Sequence, residues 1–327
     1  MLRQIIVVWF ISRLPYSVSR NSKATMIRGK EVETEHQTDT QKINLNLGST
    51  IDNSPLDHKF QKGDNPNLVE RLAIVGGSTS EVDRYEYAVR LLNKSGYFVC
   101  GGSLITSDLV LTAAHCEKFL EGGKAEIKNH NVHVNNIGQE IFDIESMIKH
   151  PDFINRNGLH DDVMVVKLRG NSIVKPVTLN KSNTVNSGQP LTVIGWGRLG
   201  EKHSLSDTLK EAKVDYIPNE VCKYSQGSFI HKSGMGNYLG LIHDDNMCAL
   251  GVHENGNVID SCYGDSGGPL IIKGNHPSQD IQVGIVSWGL ECANPDLPGV
   301  YARISHQFDW IKATVCNLSQ GNPNTNN

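Results

Sequence analysis

The sequence predicts an all-β domain, a sandwich or barrel, from residue 74 onward. Three observations carry that prediction. Short, β-branched apolar runs recur at 86–92, 102–110, 125–134, 163–168, 191–195, 270–273, 282–288 and 299–304, as strands separated by turns would. Glycine is plentiful, 31 of 327 residues, which suits a fold made of many tight turns. Helical heptads and apolar runs of membrane-spanning length are both absent. The length allows one large or two ordinary domains, and a net charge of −4 points away from nucleic acid or an anionic membrane as a partner.

Taken in order, the chain opens with Met1, Leu2, Arg3 and Gln4, then the apolar run IIVVWFI at 5–11. A basic start, a short apolar stretch and the small residues Ser17, Val18 and Ser19 read as a signal peptide over 1–19, too short to span a bilayer. Residues 20–73 turn to Asn, Ser, Thr, Lys, Glu and Asp, a composition that buries too little apolar surface to order itself and reads as propeptide or linker. At Ile74 the texture changes, and IVGG at 74–77 opens the strand-rich region. A Ser/Asn-rich stretch at 180–190 fits a division into two halves, although no internal repeat is visible. One helix is predicted near the end: Ser305 suits an N-cap, and Phe308, Ile311 and Val315 share one face at helical spacing. The domain is therefore placed at 74–316, with a polar tail at 317–327.

The chemistry concentrates in DSCYGDSGGPL at 260–270. Gly264 and Gly267 permit a sharp turn that presents Ser266 Oγ, and the amides of Gly264 and Ser266 can face one hole to stabilise an oxyanion. Taken alone, the stretch could equally be a glycine-rich turn between strands. Upstream, LTAAHC at 111–116 supplies His115 after an apolar run. In HDDVMVVKL at 160–168, Asp162 abuts the buried run, where a carboxylate is costly without a hydrogen-bonding partner. These three residues are what acyl transfer needs. A serine is a poor nucleophile until a base takes its proton, an imidazole can do so at neutral pH, and a carboxylate fixes the imidazole's tautomer.

From residue 74 to about 315 the chain resembles a trypsin-like serine protease of the chymotrypsin family. The resemblance is carried by IVGG at 74–77, LTAAHC at 111–116, DVMVVKL at 162–168, GWG at 195–197, DSCYGDSGGPL at 260–270, SWG at 287–289 and PGVYARI at 298–304. It implies two six-stranded antiparallel β-barrels with a C-terminal helix, and His115, Asp162 and Ser266 in the cleft between the barrels. It further implies Asp260 at the base of a pocket for Arg or Lys, Gly289 and Gly299 as pocket walls, and Ser287 and Gly289 on the segment that pairs with substrate backbone. Maturation in the family frees the amino group of the first Ile, here Ile74, to pair with the Asp before the serine, here Asp265.

The chain departs from the family in several places. Leu72 and Ala73 precede Ile74 where Arg or Lys is usual, so activation is expected either by a cut after Ala73 or by a cut after Arg71 with removal of the dipeptide. Glu291 stands on the pocket rim where trypsins carry Gly, either strengthening cation preference or serving as a solvated rim charge. Seven cysteines, none before Cys100 and none in C-x-x-C, read as a disulfide framework and an oxidising compartment. The resemblance implies the pairs Cys100–Cys116, Cys222–Cys248 and Cys262–Cys292, leaving Cys316 over. Leu191 and Ile272 take the places of another family disulfide. The calcium-loop stretch at 129–139 offers Asn129, Asn136 and Gln139 where carboxylates are wanted, so weak or no calcium binding is expected. Asn93, Asn180 and Asn317 head glycosylation sequons.

These readings combine into a secreted, extracellular serine endopeptidase, made as a zymogen, cutting after Arg or Lys. Its expected partners are protein or peptide substrates and an activating protease, with no cofactor, metal, nucleic acid or membrane span. A non-catalytic protease homologue serving as a binding or regulatory module is the alternative.

Overall fold

The computed structural model describes residues 74–134, 136–156 and 158–320. The signal peptide and propeptide expected over 1–73 lie outside the described residues. Twelve strands form two closed barrels. The first is built from β1 (Ala88–Leu92), β2 (Phe98–Leu104), β3 (Leu109–Thr112), β4 (Lys124–Ile127), β5 (Glu140–Lys149) and β6 (Met164–Leu168). The second contains β7 (Pro190–Gly195), β8 (Lys210–Ile217), β9 (Asn246–Val252), β10 (Pro269–Ile272), β11 (Ile281–Trp288) and β12 (Gly299–Arg303). Around the first barrel the order is β1-β2-β3-β6-β5-β4, and around the second β7-β8-β9-β12-β11-β10, all pairs antiparallel. The winding is the same in both halves, so the repeat invisible in the sequence is present in the topology.

Several strands differ from the apolar runs. The run 102–110 splits into β2 and β3, because Ile105 N–H donates to Leu109 O across a turn in which Asp108 accepts from Thr106 Oγ1. The run 125–134 ends as strand at Ile127, since Lys128 turns with φ +57°. Strands β5, β8 and β9 lie outside the apolar runs altogether. In β8 buried and exposed positions alternate along KEAKVDYI, the period-2 pattern of a strand with one wet face. The C-terminal helix runs Ile304–Gln320. It begins directly after β12, so Ser305 lies in its first turn, and it continues past residue 316, with Leu318 packed against the core. Its fully packed positions are Ile304, Gln307, Ile311 and Thr314. No helix among the described residues is long and apolar enough to cross a membrane.

Burial of Val89, Leu91, Leu104, Leu111, Ile127, Val165 and Val166 fills the first barrel, and Val193, Val214, Met247, Leu270, Val283 and Tyr301 fill the second. Removing such side chains from water is the main favourable term in folding. Polar ties then fix how the barrels meet. Asp280, fully buried, accepts from Arg84 Nη1 (2.5 Å) and Nη2 (2.8 Å) and from Tyr87 OH (2.8 Å), and Ser103 Oγ donates to Gln282 Oε1 (2.6 Å). Cysteines 100 and 116, 222 and 248, and 262 and 292 are bonded, while Cys316 is free and exposed. Continuing the register Thr192↔Ile271 sets Leu191 opposite Ile272, and both pack into the second core.

The loop at 129–139 does not fit a calcium ion. Asn136 Nδ2 points at Asn131 O (2.9 Å), Val134 O (3.1 Å), Asn129 Oδ1 (3.3 Å) and Gln139 Oε1 (3.4 Å), so an amide donor faces the oxygens a cation would need. Asn136 Oδ1 in turn accepts from the N–H groups of His130 and Asn131. Calcium therefore leaves the melting temperature unchanged, whereas Asn136→Ala destabilises the chain by about 1–3 kcal/mol in denaturant titration.

Candidate active site

Strand β3 ends at Thr112 and leads into a short 3-10 turn that carries His115, pinned beside β2 by the Cys100–Cys116 bond. Asp162 precedes β6 and is fully buried. Its two oxygens take separate donors: Oδ1 accepts from His115 N–H (2.9 Å), while Oδ2 lies 2.7 Å from His115 Nδ1 and accepts from Ser287 Oγ (2.5 Å). A carboxylate can only accept, so the ring proton sits on Nδ1 and Nε2 is left with a free lone pair. The turn that aims Asp162 inward runs through Asp161, at φ +49°. Asp161 is held by Gln307 Nε2, which donates to its Oδ1 (2.6 Å), and its own N–H donates to Asp245 Oδ2 (2.7 Å).

Ser266 lies in a turn with Gly264 at φ +98° and Gly267 at φ +81°. The turn is seated against the strands leading to His115. Ser266 O accepts from Gly101 N–H (2.8 Å), and Thr112 Oγ1 donates to Gly101 O (2.7 Å). A Cβ on Gly267 would lie 2.2 Å from Thr112 Oγ1, so only glycine allows this approach. The amides of Asp265, Gly267 and Gly268 donate to Cys262 O, Val286 O and Asp265 O. Among the described residues, the amides of Gly264 and Ser266 have no protein acceptor. The Ser266 hydroxyl forms no hydrogen bond with His115, a contact that often tightens only when substrate is bound.

Asp265 is wholly buried and accepts from Gly197 N–H (2.8 Å) and Cys262 N–H (2.9 Å). Added Cβ atoms on Gly195 and Gly197 would lie 2.2 and 2.3 Å from its side chain, which gives the glycines of GWG a steric reason. Burial pushes its carboxyl up to about 7 despite those two bonds. The Ile74 side chain is also fully buried, in the core of the second barrel, with φ +47°. Val75 O accepts from Asp260 N–H (3.2 Å), and His253 Nε2 lies 2.6 Å from Gly76 O.

A cleft of about 220 Å³ opens beside Ser266, lined by Asp260, Ser261, Ser287, Trp288, Gly289, Gly299 and the Cys262–Cys292 bond. Asp260 is 1% exposed and accepts from Ala293 N–H (3.1 Å), with Ser261 Oγ at 3.5 Å. Burial pushes its carboxyl up to about 8, and no cation pairs with it among the described residues. A Cβ on Gly299 would stand 2.5 Å from Asp260 Oδ1, whereas one on Gly289 would meet only Glu291 O, at 3.8 Å.

Glu291 is not a solvated rim charge. It is 4% exposed and turned toward Ile230, His231 and Asn294. Burial acts to raise its carboxyl, but the donors Ile230 N–H, Asn294 Nδ2 and His231 N–H outweigh that and hold it below the usual carboxylate range. Ser287, expected on the substrate-pairing segment, also binds Asp162, and Gln307, which belongs to no motif, supports the site through Asp161. Among the described residues, two clusters bring three metal-ligating residues together, and each contains a disulfide whose sulfurs are not thiolates.

The Trypsin family model matches residues 74–311. The chain belongs to the trypsin family. It is 36% identical over 247 residues to trypsin-3 of Salmo salar, covering 74% of this chain and 92% of the relative. Trypsin-4 of Rattus norvegicus is 38% identical over 251 residues, covering 75% and 90%. Among solved structures, neuropsin, a serine protease expressed in the limbic system of mouse brain, superposes with a TM-score of 0.62 at 28% identity, covering 74% of this chain and all of that one. The protein is thus a trypsin-family serine protease with the two-barrel fold the resemblance implies, and peptides are its substrates.

The unsatisfied carboxylates have a consequence for stability. Asp260 and Asp265 have folded values of about 8 and about 7, above their ordinary 3.8, so between these limits the unfolded chain releases protons the folded chain keeps. Their contribution is full below 3.8 and is lost as pH rises through 7 to 8. Asp260→Asn removes one of the two. In urea titrations of the unprocessed chain, this variant gains stability relative to the unsubstituted protein as pH rises from about 4 to about 8; a pH-independent difference contradicts the assignment.

Proposed function

We propose that the protein is a secreted endopeptidase, made as a zymogen, that cuts peptide bonds after Arg or Lys. The observation that carries the specificity is Asp260, a buried carboxylate at a cleft beside Ser266 with no cation of its own. A guanidinium or ammonium entering that cleft supplies the missing charge and hydrogen-bond donors. Gly289 and Gly299 leave the cleft open to a long side chain.

In the proposed reaction, Ser266 Oγ attacks the substrate carbonyl carbon as His115 Nε2 takes its proton. Asp162, holding Nδ1–H, keeps the ring in the receptive tautomer and stabilises the imidazolium. The carbonyl oxygen becomes an oxyanion and is received by the free N–H groups of Gly264 and Ser266. The tetrahedral intermediate collapses as His115 Nε2 passes its proton to the leaving amine, leaving an ester on Ser266. Water, deprotonated by the same nitrogen, attacks that ester and releases the acid and the free serine. Proton and electron pair return to their starting atoms, so no cofactor is required.

Activation follows from Asp265. Cleavage before Ile74 creates an ammonium at the start of a segment whose first side chain is already buried, and the carboxylate supplies its counter-charge. The residues before the cut are Leu72 and Ala73, so the activating enzyme either cuts after Ala73 or cuts after Arg71 and leaves a dipeptide to be trimmed. Residues 1–19 serve as signal peptide and 20–73 as propeptide in this scheme, and three disulfides suit an oxidising secretory route.

Hydrolysis of blocked Arg and Lys esters by the processed protein tests the reading. Ser266→Ala lowers the rate by about 10⁶-fold, to background. Equal hydrolysis of uncharged esters counts against the Asp260 pocket, and no hydrolysis in any processed form favours a non-catalytic module. Edman sequencing of the active form is expected to begin at Ile74; a fully active form beginning at Leu72 contradicts the activation scheme.

A further inference from the structure

We propose that Asn93 carries an N-linked glycan whose first N-acetylglucosamine seats in a groove against the exposed Phe119 ring, while the sequon at Asn180 stays unmodified. The proposal rests on the secretory reading above. The sequons Asn93-Lys94-Ser95, Asn180-Lys181-Ser182 and Asn317-Leu318-Ser319 all lie in the described residues, and the fold sets them in different surroundings.

Asn93 opens the tight turn between β1 and β2. Its Oδ1 accepts from Ser95 N–H (2.9 Å) and Tyr97 N–H (3.0 Å), its N–H donates to Tyr97 O (2.9 Å), and its O accepts from Gly96 N–H (2.8 Å). A main-chain N–H can only donate, so the inward side-chain atom is the oxygen, and the planar amide turns Nδ2 outward. Among the described residues Nδ2 has no acceptor. Residues 94–97 are exposed, and a Cβ on Gly96 would meet nothing within 4 Å, so the space beyond the turn is open. Asn180 makes the same local bond, Oδ1 accepting from Ser182 N–H (3.2 Å). It is, however, only 8% exposed, and its own N–H donates to Gln282 O (2.9 Å) in the second barrel. A bulky, hydrated sugar fits the first position and not the second.

A groove of about 560 Å³ lies between this turn and residues 118–122, and Asn93 lines it. Its walls are joined where β1 and β4 end: Leu92 pairs with Lys124, and a Cβ on Gly122 would lie 3.7 Å from Lys94 Cβ. The helical turn Glu117–Leu120 buries Leu120 and leaves Phe119 47% exposed, with Lys118 Nζ 4.8 Å from its ring. An exposed aromatic ring with a polar rim suits a sugar. The weakly positive C–H face of the sugar meets the negative face of the ring, and Lys118 and Glu121 supply a donor and an acceptor for its hydroxyls. Asn317, exposed on the C-terminal helix, does not line this groove. The donor in the modification is a lipid-diphosphate-linked oligosaccharide. Asn93 Nδ2 attacks the anomeric carbon of its reducing-end N-acetylglucosamine, forming the C–N bond as the C–O bond to the diphosphate breaks. The diphosphate leaves with that electron pair, and the proton lost from Nδ2 passes to a base of the transferase.

The test expresses the full chain in a eukaryotic cell line, with its own leader and in parallel with a foreign one, both carrying Asn317→Gln. Peptide N-glycosidase converts each glycosylated Asn to Asp, so peptide masses assign the sites. Conversion is expected at Asn93 and not at Asn180; an unmodified Asn93, or a glycan on Asn180, overturns the assignment. Ser95→Ala removes the sequon hydroxyl but keeps both bonds to Asn93 Oδ1, which come from main-chain N–H groups. It should lower the melting temperature of the secreted protein by about 2–4 °C, and leave it unchanged when Phe119→Ala is already present. An unchanged melting temperature overturns the seat on Phe119. So does an equal loss in the Phe119→Ala background or in protein refolded from bacteria, which add no such glycan. If only the foreign leader yields secreted protein, the secretory reading fails, while that product still decides Asn93.

Discussion

The candidate active site depends on one buried carboxylate shared between the two barrels. Asp162, with no exposed surface, takes three donors: the main chain and ring of His115 from the first barrel, and the hydroxyl of Ser287 from the second. Stripping a carboxylate of water is tolerable only when donors replace the solvent. The position of His115, the join between barrels and the strained turn at Asp161 all serve that requirement. Asp161 is itself steadied from the C-terminal helix by Gln307, so the last element of the fold supports the turn that aims Asp162.

The buried carboxylates of the candidate site divide into two kinds. Asp162 and Glu291 each receive three protein donors. Asp260 and Asp265 receive too few, and burial pushes both carboxyls up toward and beyond neutrality. A carboxylate buried without enough donors calls for a cation. In the proposed scheme those cations are the substrate side chain for Asp260 and the new amino terminus for Asp265.

Much of this was legible because several motifs place glycine where the backbone must pass a side chain closely. Gly267 against Thr112 and Gly197 against Asp265 are steric necessities, and they leave a mark in the sequence. The two barrels were readable through the resemblance, whereas local pattern alone stopped at sandwich or barrel. Strands β5 and β8 were hidden by their alternating charges, since a strand with one wet face breaks every apolar run. Gln307 and Thr314 share the buried face of the helix with Ile311 and Val315, two of the three residues expected there, while Phe308 is half-buried. Glu291 could be recognised as a departure, but its acceptor role depends on a hairpin some 60 residues earlier, a distance no local pattern spans.

In the proposed scheme Asp260, its carboxyl pushed up to about 8 by burial, stays protonated until a cation enters the cleft. Calorimetric titration with benzamidinium in buffers of different ionisation enthalpy measures the protons exchanged on binding. At pH 6.5 the carboxyl, raised to about 8, should release about one proton per ligand bound, falling toward zero near pH 9.5 and absent in Asp260→Asn. Binding without proton release at pH 6.5, or binding of equal strength in Asp260→Asn, would rule out Asp260 as the cation's partner.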